Sequence, residues 1–186
     1  MNANLIVIDN FYGDPDAVRK FALNQSFDRF GTYPGARTKN FLQPEVKSKL
    51  QDILKPFSGN IVEWNDEDPG CSGSFQLTTS TNKSWVHSDT SGNWGGVLYL
   101  TPDAPLSGGT GFFKSKLDGS FVQDKNKLPE GIWCDMTKWE KVSEVGNVYN
   151  RLILFRSNQW HSSLDYFGQD MNTDRLTQVF FIRTES

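Results

Sequence analysis

The feature that most restricts the fold is a change of periodicity near residue 60. Before it, apolar residues recur at helical spacing: Val18, Phe21 and Ala22 in one stretch, and Val46, Leu50, Ile53 and Leu54 in a second. After it, short apolar runs alternate with Gly, Asn, Asp and Pro, as in an all-β sandwich or barrel. Two helices followed by a strand-rich body predict a mainly β protein with flanking α: a double-stranded β-helix, or jelly roll, backed by its N-terminal helices.

Local signals place the elements. Asp14-Pro15 supplies an N-cap followed by proline at the first helical position, so the first helix starts there. Pro44 opens the second, and Pro56 is expected to stop it. Tyr33-Pro34-Gly35 reads as a turn. Leu5 to Ile8 is a strand ahead of the helices. Residues 61–64, 73–79, 94–100, 111–113, 150–155 and 176–183 are the strands of the body. Residues 114–149 are weakly patterned, with Trp133 and Trp139 among charges, and are expected to be an irregular insertion acting as a lid or substrate loop. The 186 residues fit a single domain, 1–186, with a helical part, 1–60, packed on a jelly-roll core, 61–186.

The charge balance argues against some partners. Net charge is −3 with a pI near 5.4, and no Lys/Arg block stands out, so nucleic acid and anionic membranes have no electrostatic support. Cys71 and Cys134 are too few for a disulfide framework. The apolar stretch Leu5 to Ile8 is too short for a signal peptide or a membrane span. A soluble cytoplasmic protein with reduced thiols is expected.

The chain has two histidines, and both sit where they make chemical sense together. His87-Ser88-Asp89 follows a strand-like run, 78–86. Side chains two apart on a strand share a face, so His87 and Asp89 can hold one metal from one side. His161 follows the apolar run 152–155 and is placed to complete the set. Two imidazoles and a carboxylate on one face leave other positions open, which marks non-haem Fe(II) oxygenases. The same ligand set also serves catalytic zinc. A zinc hydrolase wants a further carboxylate as base, and residues 156–160 before His161 offer none. A non-catalytic jelly-roll module holding a metal or a sugar is the third reading.

Taken in order, five features resemble one family. They are the His87/Asp89 pair, the Val97-Leu98-Tyr99-Leu100 strand, the Gly108-Gly109-Thr110 turn, Leu154-Phe155 leading to His161, and Arg175 opening the last strand. Over roughly residues 74–182 the chain resembles the Fe(II)/2-oxoglutarate-dependent dioxygenases, most closely the prolyl-4-hydroxylase-like branch and its small phage and bacterial members. The resemblance implies that His87, Asp89 and His161 bind Fe(II). It implies that the far carboxylate of the cosubstrate 2-oxoglutarate meets Arg175, with Thr177 and Tyr99 as further donors and Arg183 or Arg151 as alternatives to Arg175. It implies hydroxylation of a C–H bond with decarboxylation of 2-oxoglutarate to succinate, ascorbate serving in support. Halogenating relatives lack the carboxylate, so Asp89 favours hydroxylation. Peptidyl proline, an amino acid and a small metabolite remain open as substrates, and the oligomeric state is not readable. Trp85, Asn93, Trp94 and Trp160 flank the ligands, with core packing the better reading for most of these aromatics. Whether Arg37 reaches the site is not readable from the sequence.

Overall fold

A computed structural model of the chain describes residues 2–63, 72–89, 91–124 and 134–186. Residue 64, the end of the strand expected over 61–64, lies outside the described residues, as do Cys71 and Trp133. In chain order the elements are β1 (Leu5–Ile8), α1 (Pro15–Leu23), β2 (Arg29–Gly31), β3 (Tyr33–Asn40), α2 (Pro44–Ser58), β4 (Ile61–Glu63), β5 (Ser74–Thr78), β6 (Trp94–Tyr99), β7 (Thr110–Ser115), β8 (Trp139–Val145), β9 (Leu152–Arg156), β10 (His161–Ser163) and β11 (Arg175–Thr184). They form two antiparallel sheets. The large one has eight strands ordered β1-β9-β6-β11-β5-β3-β2, with β4 also paired to β11, and the small one is β10-β7-β8.

Strand alternation gives the large sheet two different faces. On β11, Leu176, Phe180 and Ile182 join Trp94 and Leu98 of β6 and Leu152 and Leu154 of β9 on the outer face. That face packs on Ala22 of α1 and on Val46, Leu50 and Leu54 of α2. Full burial of each such leucine contributes roughly 1.5–3 kcal/mol, which ties the helices down. The inner face carries Tyr99, Ile153 and Phe155, which meet Phe112 and Val145 of the small sheet. Behind the small sheet, Phe113, Trp139 and Trp160 pack with Val86.

Helix α1 begins as its cap requires, with Asp14 Oδ1 accepting from the Ala17 amide at 2.9 Å. Helix α2 runs past the proline expected to end it. Pro56 lies inside, and Gly59 at φ 77° closes the helix instead. The part before residue 60 is also not purely helical. Tyr33-Pro34-Gly35 opens strand β3 rather than a turn, with Gly35 at φ 71° and so close to β5 that a Cβ would stand 2.1 Å from the Leu77 carbonyl oxygen. The strand passes through the kink because glycine alone tolerates both demands. The strand expected over 78–86 stops at Thr78. Asn82 ends it, its Oδ1 accepting from the Thr79 amide at 2.8 Å and its own amide donating to the Thr79 carbonyl at 3.0 Å. Within the stretch expected to be irregular, Trp139–Val145 is strand β8, paired with β7.

Candidate metal centre and its cavity

Backbone pairing brings the two histidines together. His161 opens β10 opposite Phe112 of β7, and it also forms an isolated antiparallel bridge with His87. Asp89 is held nearby because its amide donates to the Ser157 carbonyl at 2.8 Å. The Ser88 hydroxyl turns away and donates to Gln123 Oε1. His87 Nε2 lies 3.9 Å from Asp89 Oδ1, and His161 Nε2 lies 3.5 Å from Asp89 Oδ2. Among the described residues these three offer ligand atoms that all fall within 4.8 Å of one another.

The ring tautomers follow from the partners. His87 Nδ1 meets the Trp85 carbonyl at 3.1 Å, and His161 Nδ1 meets the Gln159 carbonyl at 2.9 Å. A carbonyl only accepts, so each Nδ1 carries the hydrogen and each Nε2 presents its lone pair to the cluster. Burial, with His87 alongside, pushes His161 down to about 4, so it stays neutral, as binding a metal would require.

Arg175 is 2% exposed. Its Nε donates to the Gly108 carbonyl at 2.8 Å, while its Nη2 is buried with no partner. Burial lowers its pKa, yet a guanidinium stays charged. No carboxylate pairs with it among the described residues, neighbouring Asp174 included. Its backbone is braced on both sides of the peptide: Leu176 donates to Thr101 Oγ1, which donates to the Asp174 carbonyl, both at 2.8 Å. The two alternatives to it are engaged at the surface, Arg183 with Glu63 at 3.3 Å and Arg151 with Asp9 at 2.6 Å.

One cavity joins these parts. It spans about 660 Å³ with its open mouth included, and His87, Asp89, His161, Thr110, Arg175 and Thr177 line it. Tyr99 stands directly across the ladder from Thr177 and is fully buried, its hydroxyl 2.8 Å from Thr110 Oγ1. Thr110, rather than the Tyr99 hydroxyl, reaches the cavity wall.

Several lining residues escaped the sequence reading. Thr110 lay inside the glycine turn without being given a role, and its signal was that turn. Tyr166 arrives from the loop between β10 and β11, with Arg175 5.9 Å from its ring centroid. Gln76 lies across from Thr177, and Arg37 across from Gln76. Trp94, Trp139 and Trp160 are core residues. Trp85 lines both the cavity and the wider cleft outside it.

Comparison with solved structures shows the fold, a double-stranded β-helix, which here holds two imidazoles and a carboxylate between its sheets. HygX from Streptomyces hygroscopicus, with nickel, 2-oxoglutarate and hygromycin B bound, superposes at TM-score 0.60 and 12% identity, over 96% of this chain and 82% of that one. The same protein with nickel and 2-oxoglutarate alone gives 0.61 at 11% identity, with the same coverage. A prolyl hydroxylase from Trichoplax adhaerens, in complex with a hypoxia inducible factor oxygen degradation domain peptide fragment, gives 0.52 at 12% identity, over 98% of this chain and 84% of that one. No curated protein matches in sequence.

The chain belongs to the family of unknown function DUF6445, whose model matches residues 1–131. That span includes His87 and Asp89 and ends before β8, β9, β10 and β11. Among the described residues no helix is long and apolar enough to cross a membrane.

Proposed function

We propose that this protein is a non-haem Fe(II)- and 2-oxoglutarate-dependent oxygenase that hydroxylates a C–H bond of a small molecule or peptide. The observation that carries the reading is Arg175: a buried guanidinium with an unpartnered Nη2, facing the cavity that holds His87, Asp89 and His161. A lone buried charge is costly, so it calls for an anion within reach. The distal carboxylate of 2-oxoglutarate is such an anion, and a guanidinium fits it in two-pronged fashion.

His87 and His161, through Nε2, and Asp89 would hold the iron, which supplies the redox chemistry of dioxygen. The chain does the rest. Arg175 anchors the cosubstrate, and Thr177, two residues along the same face of β11, adds a hydroxyl. Thr110 offers a second hydroxyl, fixed by Tyr99. Val97, Phe155 and Val179 give the cavity apolar wall and keep water from the reacting centre. The balance is 2-oxoglutarate, dioxygen and substrate C–H going to succinate, carbon dioxide and C–OH. Ascorbate would support the iron by returning it to the reduced state.

A zinc hydrolase on the same three residues is disfavoured by one observation. Among the described residues Asp89 is the only carboxylate that lines the cavity, so no second carboxylate stands by as general base. A non-catalytic module leaves Arg175 unexplained. The test is succinate formation from 2-oxoglutarate under oxygen with Fe(II), set against ester or amide hydrolysis with Zn(II). Metal-loaded protein that neither binds nor turns over 2-oxoglutarate sinks the proposal.

A further inference from the structure

Arg37 is a second buried cation at the same cavity. It sits on β3 across from Gln76 of β5, which lies across from Thr177 of β11, so one row of the inner face joins Arg37 to the Arg175 side of the sheet. It is 8% exposed. Its Nε donates to Gln76 Oε1 at 3.0 Å, and Gln76 is fixed in turn by donating Nε2 to the Pro34 carbonyl at 2.7 Å. The guanidinium carbon stacks 3.8 Å from the Tyr33 ring centroid. These contacts set the plane of the fork and leave its two Nη groups unbonded to any described residue. No carboxylate pairs with Arg37 among the described residues. Arg29, directly opposite it on β2, donates to Asn40 Oδ1 at 3.2 Å and supplies no counter-charge.

Tyr33, Arg37, Trp85 and Phe181 line both the inner cavity and the wider cleft that leads to it, and so do His87 and Asp89. Anything passing from the cleft to the metal cluster meets one oriented guanidinium set among three aromatic rings. With Arg175 given to the cosubstrate, Arg37 is left for the substrate.

We propose that Arg37 is the substrate-recognition residue and that the substrate is a small organic anion. Its carboxylate or phosphate docks on the Arg37 fork, its carbon skeleton lies against Trp85 and Phe181, and its reacting C–H faces the His87, Asp89 and His161 cluster. This inference rests on the oxygenase reading and narrows it.

The test uses the whole protein loaded with Ni(II) and saturating 2-oxoglutarate, titrated by calorimetry with benzoate, phenylphosphonate and the neutral benzamide. The wild type is expected to bind both anions at least about tenfold more tightly than benzamide. Arg37→Gln should weaken the anions roughly tenfold to a hundredfold and leave 2-oxoglutarate affinity unchanged. Arg37→Lys, which keeps the charge and loses the fork, should fall between. Equal binding of charged and neutral probes by the wild type overturns the proposal, and this comparison decides the matter even if the variants do not fold. Loss of 2-oxoglutarate affinity in Arg37→Gln also overturns it, because Arg37 would then be the cosubstrate anchor. If the wild type binds no 2-oxoglutarate, the oxygenase reading falls alone. The anion comparison between wild type and Arg37→Gln, made on the Ni(II)-loaded protein, then decides the Arg37 site by itself.

Discussion

His87 and His161 exchange both of their backbone hydrogen bonds, the His87 amide to the His161 carbonyl at 2.9 Å and the reverse at 2.8 Å. Their ring centroids stand 4.4 Å apart as a result. Two residues distant in sequence are thus aligned by main chain, which side-chain substitution leaves in place. Each can be changed singly with the partner still in position.

Asp89→Ala should therefore leave the bridge intact and remove one proposed ligand. Ni(II) or Co(II) affinity is expected to fall by more than the roughly 10–100-fold that loss of a ligand's own hydrogen-bond partner costs. Titration with the metal under anaerobic conditions measures it. Unaltered affinity would remove Asp89 from the ligand set.

Arg175→Met should have opposite effects on binding and stability. Its unpartnered Nη2 makes the wild-type side chain costly without an anion, by roughly 1–3 kcal/mol. The variant is expected to melt at a higher temperature than ligand-free wild type and to lose the further rise in Tm that 2-oxoglutarate gives the metal-loaded protein. A lower Tm with the ligand-induced rise preserved would make Arg175 a structural residue.

The buried His161 predicts a pH dependence for the metal-free protein. Unfolded, it takes a proton below about 6.5; folded, it resists until about 4. Between those values the unfolded chain binds more protons, so stability falls as pH falls, by on the order of 3 kcal/mol across the whole window. Urea denaturation of the wild type against His161→Gln isolates this part. Parallel stability profiles for the two from pH 7 to 4 would contradict it.

Trp160 adjoins His161 in sequence yet packs on Trp139, ring centroids 5.1 Å apart, with its Nε1 donating to Ser120 Oγ at 3.1 Å. Trp160→Ala should cost about 3–5 kcal/mol of stability. At a temperature where the variant is folded, its affinity for 2-oxoglutarate should stay within a few-fold of wild type. A stable variant with failed binding would place Trp160 at the site instead.

Much of this was legible because local chemistry agreed with the global fold. Asp14 and Pro15 announced α1, and the largely apolar run 176–183 behind Arg175 announced β11. What misled did so for physical reasons. Pro34 and Gly35 read as a break, while the sheet uses Gly35 as a kink inside β3. Strand β8 was hidden because its residues between Trp139 and Val145 are all exposed and mostly charged, as an edge strand allows. At the site, His87, Asp89, His161 and Arg175 could be ordered along the chain. Gln76, Thr110 and Tyr166 could not be placed, because cross-strand neighbours and a returning loop leave no periodic trace.

The strand order puts β2 and β3 at the rim of the large sheet, with the strands that carry Arg175 and Thr177 further in. A rim can be lengthened, tilted or resequenced without unpicking the ladders behind it. On the proposed function, the gatekeeping surface and the reactive machinery would be separable inheritances, and relatives of this chain are expected to diverge in diet by editing residues 29–40 while keeping one engine.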